Sequence, residues 1–134
     1  MTGSSERNGT RLVLEAIANA HESLIELAQS LRKQPGVTEA RSGLTLRNYR
    51  DKIMVEGYVD AAFDRDPKRS WIIDVWLPLS MDPIVVTASI RLNRSSGQDV
   101  VWEREDQTDV QSLAATINVT VADLVARNSY LFNS

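Results

Sequence analysis

Trp71-Ile72-Ile73-Asp74-Val75-Trp76-Leu77-Pro78-Leu79 is the stretch whose reading decides the fold. Trp71, Ile73, Val75, Leu77 and Leu79 alternate with Ile72, Asp74 and Trp76, a period of two that sends the two sets to opposite faces of a β-strand. One set is wholly apolar, and the other mixes an acid with two large apolar side chains. The pattern continues outward on both sides. Upstream, Ile53, Val55, Val59, Ala61 and Phe63 oppose Met54, Glu56, Tyr58 and Asp60. Downstream, Ile84, Val86, Ala88, Ile90 and Leu92 oppose Val85, Thr87, Ser89 and Arg91. A shorter strand from Asp99 to Glu105, and a weaker first strand containing Leu44 and Leu46, complete the set. The connections at 48–51, 64–70, 80–83 and 94–98 are short and rich in turn residues. None can hold the crossover helix that a parallel neighbour needs, so the sheet is an antiparallel meander of four to five strands.

Helices flank this sheet. From Thr10 to Lys33, the apolar residues Val13, Ile17, Ala20, Leu24, Leu27, Ala28 and Leu31 recur at three- and four-residue steps, the signature of an amphipathic helix. Pro35 and Gly36 stop it. Near the C-terminus, Thr116-Ile117-Asn118-Val119-Thr120-Val121 is β-branched enough to pass for a strand. The longer stripe Val110, Leu113, Ala114, Ile117, Val121, Leu124 and Val125 favours a helix, opened by a capping box of Thr108 and Gln111. The apolar tail Tyr130-Leu131-Phe132 is expected to fold back on the domain. Residues 1–9 carry no apolar periodicity and are read as a flexible lead, leaving 10–134 as one domain. The expected fold is α+β, in the order α-β-β-β-β-β-α, with both helices packed on the sheet face that carries Ile53, Val55, Ile73, Val75, Val86 and Ile90.

The totals narrow the function. The 134 residues are enough for one core, and 43% hydrophobic with 25% charged residues is ordinary globular composition. No apolar run approaches the ~20 residues that span a bilayer, and no apolar segment marks a leader, so the expected location is the cytoplasm, away from the membrane. Cysteine is absent, which removes disulfides, thiolate zinc sites and thiol nucleophiles. A net charge of -3 argues against a nucleic-acid binder.

Catalytic chemistry finds no motif. His21 is the only histidine and flanks the first helix's apolar stripe. Without a second histidine it cannot anchor a zinc site, and no Gly-x-Ser-x-Gly elbow accompanies it. Asp64 and Asp66 alternate with bases, which suits a solvated loop better than a cation site. No phosphate-cradling glycine loop occurs. We expect no metal, no cofactor and no catalytic residues.

The second sheet face stands out instead. Met54, Glu56, Tyr58, Asp60, Ile72, Asp74, Trp76 and Glu103 combine aromatic and flexible apolar groups with acids, a composition suited to a basic protein partner. In its whole plan of helix, antiparallel meander and closing helix, the chain resembles the single-domain immunity proteins that bacteria pair with polymorphic toxins. The resemblance is one of architecture, with no motif. It implies a non-catalytic antitoxin that binds and occludes a cognate toxin domain. Two other readings fit the same sequence. One is a secretion chaperone acting as a homodimer; the other is a small-molecule-binding domain or enzyme with a pocket between helices and sheet.

Overall fold

Runs of alternating residues joined by turns too short for a helix can only pair with their neighbours in sequence, and they do so. The computed structural model describes residues 2–64, 68–80 and 82–127, with 2–10 described by backbone alone. Helix α1 (Thr2–Arg32) leads into strands β1 (Val37–Asn48), β2 (Lys52–Phe63), β3 (Lys68–Pro78), β4 (Ile84–Arg94) and β5 (Gly97–Thr108), and helix α2 (Leu113–Ala126) closes the chain. The sheet order is β1-β2-β3-β4-β5, and every pair is antiparallel. This is the expected α+β meander, with five strands.

Register follows the alternation. Val55, Val75 and Val86 form one cross-strand row and Val59, Trp71 and Ile90 another, so the apolar sets coincide on one face. Helix α1 lies over β1 and β2, α2 lies over β4 and β5, and the helices touch each other. The core joins Leu24, Leu27 and Leu31 of α1 to Val59, Trp71, Ile73, Val86 and Ile90 of the sheet and to Leu113, Ile117 and Leu124 of α2, all essentially excluded from water. Each such side chain contributes about 1.5–3 kcal/mol on burial. Helix α1 comes closest at Gly57, where an added Cβ would sit 2.7 Å from Leu24 Cδ1. Only a residue without a side chain permits that approach.

The ends of elements depart from the sequence reading. Helix α1 starts at Thr2, not Thr10. The apolar stripe marks only the packed part of the helix, and once nucleated a helix adds one hydrogen bond per residue beyond it. At its other end the helix stops at Arg32, and Gly36 takes φ +87° to turn the chain into β1. The proposed capping box does not form. Thr108 ends β5, and Asp109 Oδ1 instead accepts from the Ser112 backbone N–H at 2.8 Å before α2 begins at Leu113. The β-branched run 116–121 is helical because Leu113, Ile117, Val121 and Leu124 line one buried stripe. The Thr120 hydroxyl donates back to the Thr116 carbonyl at 2.7 Å, which removes its own burial penalty. Tyr130-Leu131-Phe132 lies outside the described residues. Among those described, no helix is long and apolar enough to cross a membrane.

Candidate binding cleft

Because the helices take one face of the sheet, the alternate residues meet on the other. Three cross-strand rows define its centre. Met54, Trp76, Val85 and Gln107 form the first; Glu56, Asp74, Thr87 and Glu105 the second; Tyr58, Ile72, Ser89 and Glu103 the third. A cleft of about 1090 Å³ opens over β3–β5, with Asp74, Trp76, Thr87, Ser89 and Glu103 among its walls and Leu79 and Asp82 on the β3–β4 rim. Beneath α1, by contrast, the crevice beside His21 measures about 10 Å³, less room than a water molecule takes.

The eight residues singled out from sequence occupy this face unequally. Asp74, Trp76 and Glu103 line the cleft, while Met54, Glu56, Tyr58, Asp60 and Ile72 are outside its lining, mostly toward β1. Met54 and Ile72 are buried, so they offer a partner little surface. The Tyr58 ring lies across Gly43, in the space a Cβ would fill there. Asp60 accepts from Ser70 Oγ at 2.7 Å, and Ser70 accepts from Asn93 Nδ2 at 3.0 Å. Gln98 continues that chain, donating to Asn93 Oδ1 at 2.6 Å and accepting from Arg91 at 3.0 Å. Asp60 is thus committed to holding one end of the face together.

Trp76 is fixed on three sides. Its indole N–H donates to Thr87 Oγ1 at 3.3 Å, Tyr49 stacks on it with ring centroids 6.0 Å apart, and Lys52 Nζ lies 5.0 Å from its centroid. Asp74 beside it is only 7% exposed, and its Oδ1 is buried without a hydrogen-bond partner. Burial raises its pKa from the ordinary 3.8 to about 7, helped by a hydrogen bond to Glu56 and by that neighbour's negative charge, and opposed by Arg91 and Arg47. Near neutral pH Asp74 is therefore partly protonated, in contrast to an ordinary aspartate.

Several contributors escaped the sequence reading. Alternation in β4 already put Thr87, Ser89 and Arg91 on this face, but their ordinary types gave no reason to single them out. Tyr49 and Lys52, from the β1–β2 turn and its edge, carried no pattern at all. Arg47 and Arg91 also make the face more mixed in charge than its acids suggested. Among the described residues no group of three or more His, Asp or Glu is placed to hold a metal ion. Asp66, of the Asp64–Asp66 pair, lies outside them. No protein-family model, curated protein or solved structure matches the chain.

Proposed function

We propose that this chain is a non-catalytic protein-binding domain, an immunity protein of the cytoplasm that seats a basic toxin domain on its open sheet face and blocks it. The cleft carries the reading. It combines a half-buried, immobilised Trp76 with a 64% exposed Leu79 at its rim and exposed Glu103 and Glu105 at its mouth. Fixed aromatics lose little entropy on binding and recur as interface anchors, while rim acids accelerate encounter with a basic surface. The small-molecule reading requires a pocket between helices and sheet, and the crevice under α1 among the described residues holds about 10 Å³.

The homodimer reading draws on a different feature. Leu44 and Leu46, 44% and 67% exposed, flank the unpaired edge of β1, which another copy of the chain could extend.

Capture from a bacterial host followed by sizing separates the two. A 1:1 complex with a basic domain, weakened about tenfold or more by Trp76→Ala and by Glu103→Lys, supports the immunity reading. A dimer holding an unstructured segment supports the chaperone. Unchanged binding by both variants rules out the open face as the interface.

A further inference from the structure

We propose that the Glu56–Asp74 pair is a receptor for an arginine side chain of the partner protein, whose guanidinium enters the cleft at Asp74 and reaches past its border to Glu56. The proposal rests on the protein-binding reading of this face and specifies what that face recognises.

Three observations carry it. First, Asp74 lines the cleft at the middle of the central strand, buried, with an oxygen that no donor satisfies. Buried acceptors are nearly always paired, and this one, shielded from solvent, belongs to a side chain that borders an open cleft from which a donor could reach it. Second, Glu56 and Asp74 are direct cross-strand partners. Their carboxyls lie within hydrogen-bond reach of each other, so they present adjacent acceptor oxygens that a planar fork of five N–H donors can bridge. An ammonium, with its donors gathered at one point, engages the pair less well. Third, no ion pair reaches either acid from any described residue. Arg91 is held by Ser89 at 3.2 Å and Gln98 at 3.0 Å, and Arg47 stands across β2 on the edge strand. Glu103 and Glu105 of β5 add negative charge on the far side.

One consequence is a proton. An incoming guanidinium favours the ionised form of Asp74, so binding releases the Asp74 proton at mildly acid pH and strengthens as pH rises through about 7. Arg47 and Arg91 act in the same direction from farther off and keep Asp74 ionisable in the empty protein.

The test uses the full chain labelled with ¹⁵N and two probes, N-acetyl-arginine methylamide and N-acetyl-lysine methylamide, at fixed ionic strength. The Trp76 indole N–H resonance, assigned with Trp76→Phe, is the reporter. The arginine probe should produce a saturable shift, the lysine probe a weaker one, and the arginine affinity should rise several-fold from pH 6 to 8. Asp74→Asn should weaken arginine binding about tenfold, and Glu56→Gln should do the same. An amide spectrum that stays native in both variants excludes misfolding. No saturable shift, or equal affinity in wild type and both variants, overturns the proposal. If a captured partner is lost with Trp76→Ala yet binds Asp74→Asn unchanged, protein binding stands and the arginine receptor falls. If the arginine probe binds as expected but no protein partner is captured, the partner assignment fails and the cleft is a site for free guanidinium compounds.

Discussion

Trp71 and Trp76 lie five residues apart in one strand, yet they belong to regions with opposite physics. Trp71 is fully buried between two helices and a sheet. Trp76, on the other face, is held at the edge of its ring by Thr87 and stacked by Tyr49 beside a cleft of about 1090 Å³. The helix face stabilises the fold by excluding water from apolar groups. The open face spends polar groups on one another; each face leaves a buried polar atom without a partner, Trp71 Nε1 in the core and Asp74 Oδ1 beside the cleft. A single strand can serve both purposes because its alternation keeps them independent: a change on one face need not disturb the other.

The largest test of that independence is a truncation in the core. Leu24 is wholly buried and packs against Gly57 from above. Leu24→Ala should cost about 2–5 kcal/mol in denaturant unfolding, from lost transfer energy and the cavity left behind. If the faces are independent, the surviving folded fraction should bind the arginine probe as wild type does.

Asp74 gives the converse test, in which a change on the open face raises stability. Its folded pKa of about 7 lies above the unfolded value, so the folded state holds the extra proton between about pH 4 and 7. Stability contributed by the protonated carboxyl is therefore full below pH 4, falls as pH rises to about 7, and stays low above it. A carboxyl held that far from its ordinary value costs on the order of 3–4 kcal/mol once ionised. Asp74→Asn removes this slope. Relative to wild type the variant should gain stability progressively from pH 4 to 7 and be the more stable protein at pH 8, by chemical denaturation. A pH profile parallel to wild type would show that Asp74 is ordinary and that the two faces differ less than their geometry implies. Gain of stability with loss of arginine binding is the expected signature of a binding site.

The helix face was legible in the sequence almost residue by residue, because burial leaves a periodic record. Val55, Val59, Trp71, Ile73, Val86 and Ile90 are all buried on the face where alternation placed them. Element ends were less legible: Thr108 has the residue type of a cap but ends β5, and α2 opens after Ser112, whose side chain makes no capping hydrogen bond. On the open face, pattern gave the correct side for Glu56, Asp74 and Trp76 but not their environments. That Met54 and Ile72 are buried there, or that Asp60 is consumed by Ser70, depends on neighbours from other strands. Register converts a list of facing residues into contacts, and no single strand contains it. The edges show the same limit: Leu44 and Leu46 marked a weak first strand by sequence, but not that the part of β1 carrying them stays exposed.

A pair of glycines sharpens the comparison with the smallest effects. Gly57 faces α1, and an alanine Cβ there would meet Leu24 Cδ1 at 2.7 Å and Ile73 Cγ2 at 3.3 Å. Both neighbours are locked in the core, so Gly57→Ala must move the helix or distort rotamers, at about 1–3 kcal/mol. Gly43, on the open face of β1, would also meet a side chain, the Tyr58 ring. That ring is half-buried and borders solvent, so it can swing away. Gly43→Ala should therefore cost less than about 1 kcal/mol, with part of the loss returned because alanine restricts the unfolded chain more than glycine does. Thermal unfolding of the two variants measures the difference directly. Equal losses would mean that the open face is packed as rigidly as the core, and a rigidly filled surface leaves less freedom to shape itself to a partner. A clear gap between them, with Gly57→Ala the worse, places the adaptable side chains where the cleft is.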